Sequence, residues 1–143
     1  MSVALHPPTP AIALRSEASS RARWTGRLLS GLAVLFLAFD TVVKFSGAKQ
    51  AVDSMTQLGW QPHSLPLLGA IEVACLALYL VPRTAPLGAL LWTGYLGGAI
   101  ATQLRIGNPL FSYILFPTYI AALLWGGLYL RDARVRAMFG PAR

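Results

Sequence analysis

The chain alternates between polar stretches and four long apolar segments, residues 28–45, 65–81, 87–104 and 110–130. A helix rises 1.5 Å per residue, so each segment has about the length that crosses ~30 Å of hydrocarbon. The pattern predicts an all-α fold, an integral membrane four-helix bundle. The second and third connections are only a few residues long, so neighbouring helices are expected to be antiparallel.

Proline residues mark the ends of these segments, because proline is favoured at a helix start and just beyond a helix end. Only Pro117 falls inside a segment, where we expect a kink. The boundary prolines are Pro62, Pro66, Pro82, Pro86 and Pro109.

The first connection, residues 46–64, carries a helical pattern of its own. Ala48, Ala51, Val52 and Met55 recur at helical spacing, and Gly59 is placed to end a helix. The pattern fits a short amphipathic helix on the membrane surface, which would cover part of the bundle. An ordinary ordered loop fits it equally well.

Composition agrees with a membrane location. The chain has 143 residues, of which 55% are hydrophobic and 12% charged, whereas a soluble domain carries about 25% charged residues. The net charge is nevertheless +7. A basic, apolar chain is either a nucleic-acid binder or a membrane protein with biased loops, and the positions of the charges decide between them.

Nine of the twelve basic residues lie on one side of the predicted bundle, and Lys44, Lys49 and Arg105 lie on the other. Basic residues accumulate in cytoplasmic loops, so both termini are expected in the cytoplasm. No patch interleaves basic with aromatic residues, which argues against nucleic acid. The nine are Arg15, Arg21, Arg23, Arg27, Arg83, Arg131, Arg134, Arg136 and Arg143.

Three regions are predicted along the chain: a disordered cytoplasmic tail over residues 1–23, a transmembrane domain over 24–139 and a C-terminal end over 140–143. The tail is rich in proline and serine. A cleaved signal peptide is not expected, because the following apolar stretch is long and contains Asp40. A mitochondrial presequence shares the tail's composition and stays open as an alternative.

Cysteine and histidine limit the possible chemistry. Cys75 is the only cysteine, so an intrachain disulfide is excluded. His6 and His63 both lie outside the apolar segments. A haem held by two histidines within the bilayer and a zinc site of conventional ligand spacing are therefore not expected, and no metal site is predicted.

Polar residues inside the apolar segments are the candidate site. Charged groups cost about 2.5–3.5 kcal/mol each on insertion scales, so each needs a reason to be there. With cytoplasmic termini, all of them fall in the outer half, and two carboxylates balance two cations. They form either an ion-pair network that sets helix register or a pocket for a small ligand or proton relay. These residues are Asp40, Lys44, Glu72, Gln103, Arg105 and Tyr113.

Glycine pairs offer a weaker signal. Gly94 and Gly98 in the third segment, and Gly126 and Gly127 in the fourth, are typical of close helix packing.

Several sequence motifs also resemble those of a known protein family. Phe39–Phe45 (FDTVVKF), Leu68–Glu72 (LGAIE) and Gly98–Pro109 (GAIATQLRIGNP) are similar to motifs of DoxX-like membrane proteins. Further similar motifs follow in the same order, and the resemblance covers about residues 27–139. These motifs are Leu58–Trp60 (LGW), Leu80–Thr84 (LVPRT), Leu115–Tyr119 (LFPTY) and Leu124–Asp132 (LWGGLYLRD).

The resemblance implies a four-helix protein of the bacterial inner membrane, with Lys44 and Glu72 as family-typical polar positions. The family takes its name from a subunit of a thiosulfate:quinone oxidoreductase, so it implies quinone as a possible cofactor. Family members often have histidine where this chain has Gln103, and often near Tyr113. The absence of these two histidines from this chain disfavours proton transfer and metal binding near neutral pH.

Several functions remain open. We expect an accessory or small-ligand-binding membrane protein, with catalysis undecided but disfavoured and no cofactor in the chain itself. A membrane subunit of a quinone-linked oxidoreductase is the alternative, and it would need a partner subunit that carries the redox cofactor. A transporter component is a third candidate, for which a homo-oligomer would supply the missing half. The lipid bilayer is the one partner expected in every case.

Overall fold

A computed structural model describes residues 10–139 of the chain, with side chains from Ser20 to Met138. All regular structure in this part is helical, which confirms the all-α prediction. A 3₁₀ turn covers Pro62–Ser64 and a π-helical turn covers Leu110–Ile114. The six α-helices are α1 (Pro10–Ser46), α2 (Lys49–Gln57), α3 (Leu65–Leu80), α4 (Ala85–Arg105), α5 (Phe116–Arg131) and α6 (Ala133–Phe139).

The first helix is longer than the sequence pattern predicts. Residues 10–23 are helical, where a disordered tail was expected. Pro10 occupies the first helical position, where its missing N–H costs nothing. The residues that follow are rich in alanine and arginine, which have high helix propensity. Residues 1–9 and 140–143, parts of the predicted tail and C-terminal end, lie outside the described residues.

The fourth apolar segment is divided near Pro117. A π-helical turn ends at Ile114, and α5 begins at Phe116 with Pro117 in its first turn. Proline cannot donate the backbone hydrogen bond that a continuous helix would need there. Pro117 therefore interrupts the helix at the place where the sequence pattern predicts a kink.

Four long helices pack round a shared core, with α1 and α4 each contacting both α3 and α5. The early part of one helix lies against the late part of its neighbour, since a Cβ on Gly26 would meet Arg131 and one on Gly88 would meet Tyr79, so these neighbours are antiparallel. The most completely buried side chains of the core are Ala33, Leu37, Tyr79, Ala89, Trp92, Leu124 and Leu128.

Tyr79 connects three of these helices near the end of the bundle at which α3 and α5 end. Its hydroxyl donates to the carbonyl oxygen of Leu124 at 2.9 Å and lies 3.0 Å from Ser30 Oγ. The Arg131 guanidinium lies 5.1 Å from the centre of the ring. A buried phenol stabilises a core when its polar end is paired in this way.

Close approach of helices depends on some glycines and not on others. A Cβ on Gly127 would clash with Ser30, and one on Gly26 would lie 2.7 Å from the Gly127 carbonyl oxygen, so α1 and α5 pack closely here. A Cβ on Gly94 or Gly98 would meet nothing within 4 Å. The close packing expected at Gly94 and Gly98 is therefore wrong, because both face open space.

The first connection contains a helix, α2, rather than an irregular loop. Gly59 ends it with φ +77°. The Trp60 N–H donates to the Met55 carbonyl and the Gly59 N–H to the Thr56 carbonyl, both at 2.9 Å. This pair of bonds is a Schellman cap, which needs a residue with positive φ and so favours glycine. Met55 is the one buried residue of α2.

The outward faces of the helices are apolar. On α1 an exposed stripe runs through Leu28, Leu32, Leu35, Phe39 and Val42, each at least 58% exposed. So large an apolar surface is typical of contact with lipid or a partner rather than with water.

Within the described part of the chain, three helical segments are long and apolar enough to cross a membrane: residues Ser20–Ser46, Pro62–Leu80 and Leu110–Arg131. α4 is 21 residues long, but glycine, threonine and glutamine make it less apolar. Four spans were predicted from the sequence; three are confirmed as membrane-capable, and the crossing by α4 stays a prediction.

Short helix α6 closes the end of the bundle at which α3 and α5 end. Val135 is fully buried there. Arg134 bonds the Asp132 carboxylate, with one contact at 2.8 Å, and also the carbonyl oxygen of Pro82. The hydrogen bond from Arg134 holds the pKa of Asp132 below its usual value. These bonds tie the α3–α4 turn to the end of α5.

Candidate functional site

A cavity of about 560 Å³ lies between α1, α2, α3, α4 and α5, at the end of the bundle opposite α6. Its wall is mainly apolar, with Leu37, Leu68 and Ile120 among the lining residues. Gln50, Ser54 and Met55 of α2 form one side. A largely apolar wall with a few polar groups is typical of a small-molecule pocket.

Glu72 is the most deeply buried polar residue in this wall, with a side chain 0% exposed. The apolar run of α3 carries it into the bundle. Its Oε1 lies 2.8 Å from Lys44 Nζ. The Thr41 hydroxyl donates to its Oε2 at 3.0 Å and also lies 2.8 Å from the Leu37 carbonyl oxygen. Two contacts from α1 thus hold a carboxylate that would otherwise be costly to bury.

Lys44 lies between two carboxylates. It contacts Asp40 one helical turn earlier on α1 as well as Glu72 on α3. Its side chain is 13% exposed and that of Asp40 is 41% exposed. All three charged side chains line the cavity.

The structure brings together only part of the predicted site. Gln103 lines the cavity and accepts a hydrogen bond from Asn108. Arg105 instead donates to the Leu58 carbonyl oxygen at 2.7 Å and lines an adjoining cleft, not the cavity itself. Tyr113 lies on the π-helical turn, is 52% exposed and is not among the cavity-lining residues. The predicted balance of two carboxylates by two cations is therefore absent from the cavity wall.

Two residues of the site are not singled out by the sequence pattern. Thr41 bonds Glu72, and Tyr95 on α4 lines the cavity close enough to interact with the same carboxylate. Thr41 could have been found from its place beside Asp40, three residues before Lys44 and on the same side of the helix. Tyr95 has no such signal, because its role depends on how α4 faces α3.

Comparison with known proteins assigns the chain to a family. The model of the DoxX-like family matches residues 28–127. The chain belongs to the DoxX-like family. Searches of curated proteins and of solved structures returned no significant match for this DoxX-like chain. The family match spans α1 from Leu28 to most of α5, and so includes every charged residue of the cavity.

Chemically, this DoxX-like site offers hydrogen-bond donors, carboxylates and an apolar wall. Lys44, Tyr95 and Gln103 can donate, and Asp40 and Glu72 can accept a hydrogen bond or a proton. Among the described residues, no three histidine, cysteine, aspartate or glutamate side chains are grouped as a metal site requires. The arrangement suits an organic molecule with an apolar body and a polar end.

Proposed function

We propose that this protein is a multi-pass membrane protein of the bacterial cell membrane that binds a small amphipathic molecule in the cavity beside Lys44 and Glu72. In this role it acts as an accessory or ligand-binding protein. α4 crosses the membrane as the fourth span, since it packs between α3 and α5 and its 21 residues are long enough to cross about 30 Å of hydrocarbon.

The charge distribution supports an orientation with both termini in the cytoplasm. Arg83, Arg131 and Arg134 cluster at the end of the bundle that α6 closes. The opposite end has fewer basic residues, and the positive-inside rule then assigns it to the outer side. The cavity accordingly lies in the outer half of the membrane.

The observation that carries the proposal is the cavity itself. A closely packed interior contains few voids larger than a water molecule, yet about 560 Å³ is open here. Gly94 and Gly98 line it and leave space where any side chain would project. A cavity of this volume lies within the usual range for small-ligand pockets, about 300–1,000 Å³.

The test is to fill the cavity without disturbing the fold. Gly98→Leu places a side chain in the cavity, whereas Gly97→Leu also meets open space but lies outside the cavity lining. The neutral probe N-phenyl-1-naphthylamine is titrated into protein in a nonionic detergent, with the signal from micelles alone subtracted.

We expect Gly98→Leu to weaken probe binding at least about tenfold, since burial of a drug-sized apolar group contributes more than 1.4 kcal/mol. The Gly97→Leu variant should bind as the wild type does. Equal binding by all three proteins, or no saturable binding by the wild type, would contradict the proposal.

A quinone-linked oxidoreductase subunit is the second candidate. The observation in its favour is that Glu72, Lys44 and Tyr95 meet in the wall of an apolar cavity. Reduction of a quinone takes up two protons and two electrons; these side chains would deliver protons, and a partner subunit would supply the electrons. Native mass spectrometry of protein extracted from its own membrane should then show bound quinone and a redox partner. A preparation with neither would count against this candidate.

A further inference from the structure

The cavity wall carries an unequal number of positive and negative charges. Asp40, Lys44 and Glu72 are the only charged residues among those that line it. One ammonium group therefore faces two carboxylates. With all three groups ionised, the cavity has a net charge of −1.

No other cation of the described chain supplies the missing positive charge. Arg105 is bonded to the Leu58 carbonyl at 2.7 Å and lines an adjoining cleft, which shares Trp60 and Thr102 with the cavity, but it is not among the residues that line the cavity itself. Lys49 is exposed at the start of α2 and is not part of the cavity lining. Lys44 is the one cation within reach, and it is already shared between two carboxylates.

The buried carboxylate already has partners within the bundle. Oε2 of Glu72 accepts from the Thr41 hydroxyl and Oε1 lies 2.8 Å from Lys44 Nζ, so the single ammonium group is divided between this carboxylate and Asp40. Surplus negative charge in a poorly solvated cavity is costly unless a positive group offsets it. The less buried partner, Asp40, is 41% exposed and so remains accessible to such a group.

Aromatic side chains complete the wall. Phe36 and Phe116 are in edge contact, with ring centres 5.2 Å apart, and Trp60 and Tyr95 also line the cavity. Aromatic faces attract cations, above all cations that shed their water easily. Negative charge and aromatic surface thus both favour a cationic ligand.

We propose that the cavity selects lipophilic organic cations, with Asp40 as the group that offsets their charge. This inference rests on the proposed ligand-binding function and names the ligand class. A lipophilic cation would bring the positive charge that Arg105 does not provide, while its apolar part would lie against α4 and α5.

The test uses two ions of the same shape and opposite charge. Tetraphenylphosphonium and tetraphenylborate each compete with N-phenyl-1-naphthylamine in nonionic detergent, against wild type, Asp40→Asn and Asp53→Asn. Asp53 is an exposed acid on α2, close to the cavity but not lining it. Asp40→Asn leaves Lys44 paired with Glu72, so the bundle keeps its buried ion pair.

We expect wild type and Asp53→Asn to prefer the phosphonium ion, and Asp40→Asn to lose about tenfold of that preference, the effect of one ionic contact. Neutral probe binding should be retained in wild type and Asp53→Asn, and the preference is measured as the ratio of competition by the two ions, which corrects for any change of probe affinity in Asp40→Asn. Neutral binding without cation preference, or an Asp40→Asn variant that matches Asp53→Asn, would overturn this inference and leave the proposed function standing. Absence of all saturable binding would overturn both.

Discussion

At the scale of single residues, Lys44 has the largest electrostatic role in the bundle. It contacts two carboxylates from two different helices, and one of them, Glu72, is completely buried. Removal of one partner of a buried ion pair leaves the other charge without compensation. Removal of Lys44 and removal of Glu72 therefore have unequal effects on stability, because each removal leaves a different set of charges behind.

We predict that Lys44→Met destabilises the protein more than Glu72→Gln does. Loss of Lys44 leaves two carboxylates without a cation, and breaking a buried pair in this way costs about 3–5 kcal/mol. Glu72→Gln leaves Lys44 paired with Asp40, and the amide can still bond Thr41. Thermal unfolding in detergent, followed by circular dichroism, should show the larger fall in apparent Tm for Lys44→Met.

Lys49→Met is the matched control, since it removes a lysine that is exposed on α2. Its apparent Tm should equal that of the wild type. If Lys44→Met were as stable as Lys49→Met, the ion-pair network would contribute nothing to the fold.

At the scale of helices, α2 is held against the bundle by few interactions. Met55 is its one buried residue, and its C-terminal cap accepts a hydrogen bond from Arg105 through the Leu58 carbonyl. A Cβ on Gly59 would lie 2.6 Å from the Arg105 guanidinium, so the cap and the side chain are closely fitted. Because α2 forms one side of the cavity, this contact controls how tightly the cavity is covered.

We predict that Arg105→Met loosens α2 without unfolding the bundle. A hydrogen bond from a charged donor contributes about 1.5–3 kcal/mol, so amide exchange in α2 should become about ten- to a hundredfold faster. Hydrogen–deuterium exchange by mass spectrometry measures this for the α2 peptides against those of α3. Unchanged exchange in α2 would show that Arg105 does not hold it.

At the scale of the whole molecule, the two ends of the bundle differ in charge and in the structural features that they carry. One end holds the C-terminal end of α5, α6 and a cluster of arginines; the other holds α2 and the cavity. The apolar outer faces of the helices between them suit lipid. This polarity makes the orientation in the membrane a testable property.

We predict that α2 is outside the cell and α6 inside. Cys75 is buried and is replaced by alanine, and single cysteines are introduced as Gln57→Cys on α2 and Ala137→Cys on α6, both exposed positions. A membrane-impermeant maleimide on intact cells should label only the first. Labelling of Ala137→Cys before permeabilisation would reverse the orientation and place the cavity in the inner half.

Much of the fold could be predicted from the sequence because it depends on local patterns. The limits of α3 and α4, the break near Pro117 and the cap at Gly59 follow from hydrophobic length and from the backbone limits of proline and glycine. The helical start of α1 at Pro10 does not follow from the pattern, because serine and proline in that segment predict disorder despite its alanine and arginine content.

The candidate site was less predictable. Asp40 and Lys44 share a face because they lie four apart on one helix, and a sequence shows that directly. The contact of Lys44 with Glu72 was only a hypothesis, since it needs the register of α1 against α3. Gly94 and Gly98 show the limit best: their spacing is typical of close packing, yet they line a cavity.

The sequence by itself determined that the chain is helical, suited to a membrane and more basic at one end, because hydrophobic length and charge position are properties of each segment alone. Only the tertiary structure decided which charges meet. Helix rotation and register bring Tyr95 close to Glu72 and place Arg105 on the cap of α2, outside the cavity. Helix rotation and register result from packing among all the helices. They bring Asp40, Lys44 and Glu72 to the cavity but not Arg105, so a set of charges that is balanced in the sequence leaves one carboxylate in excess there.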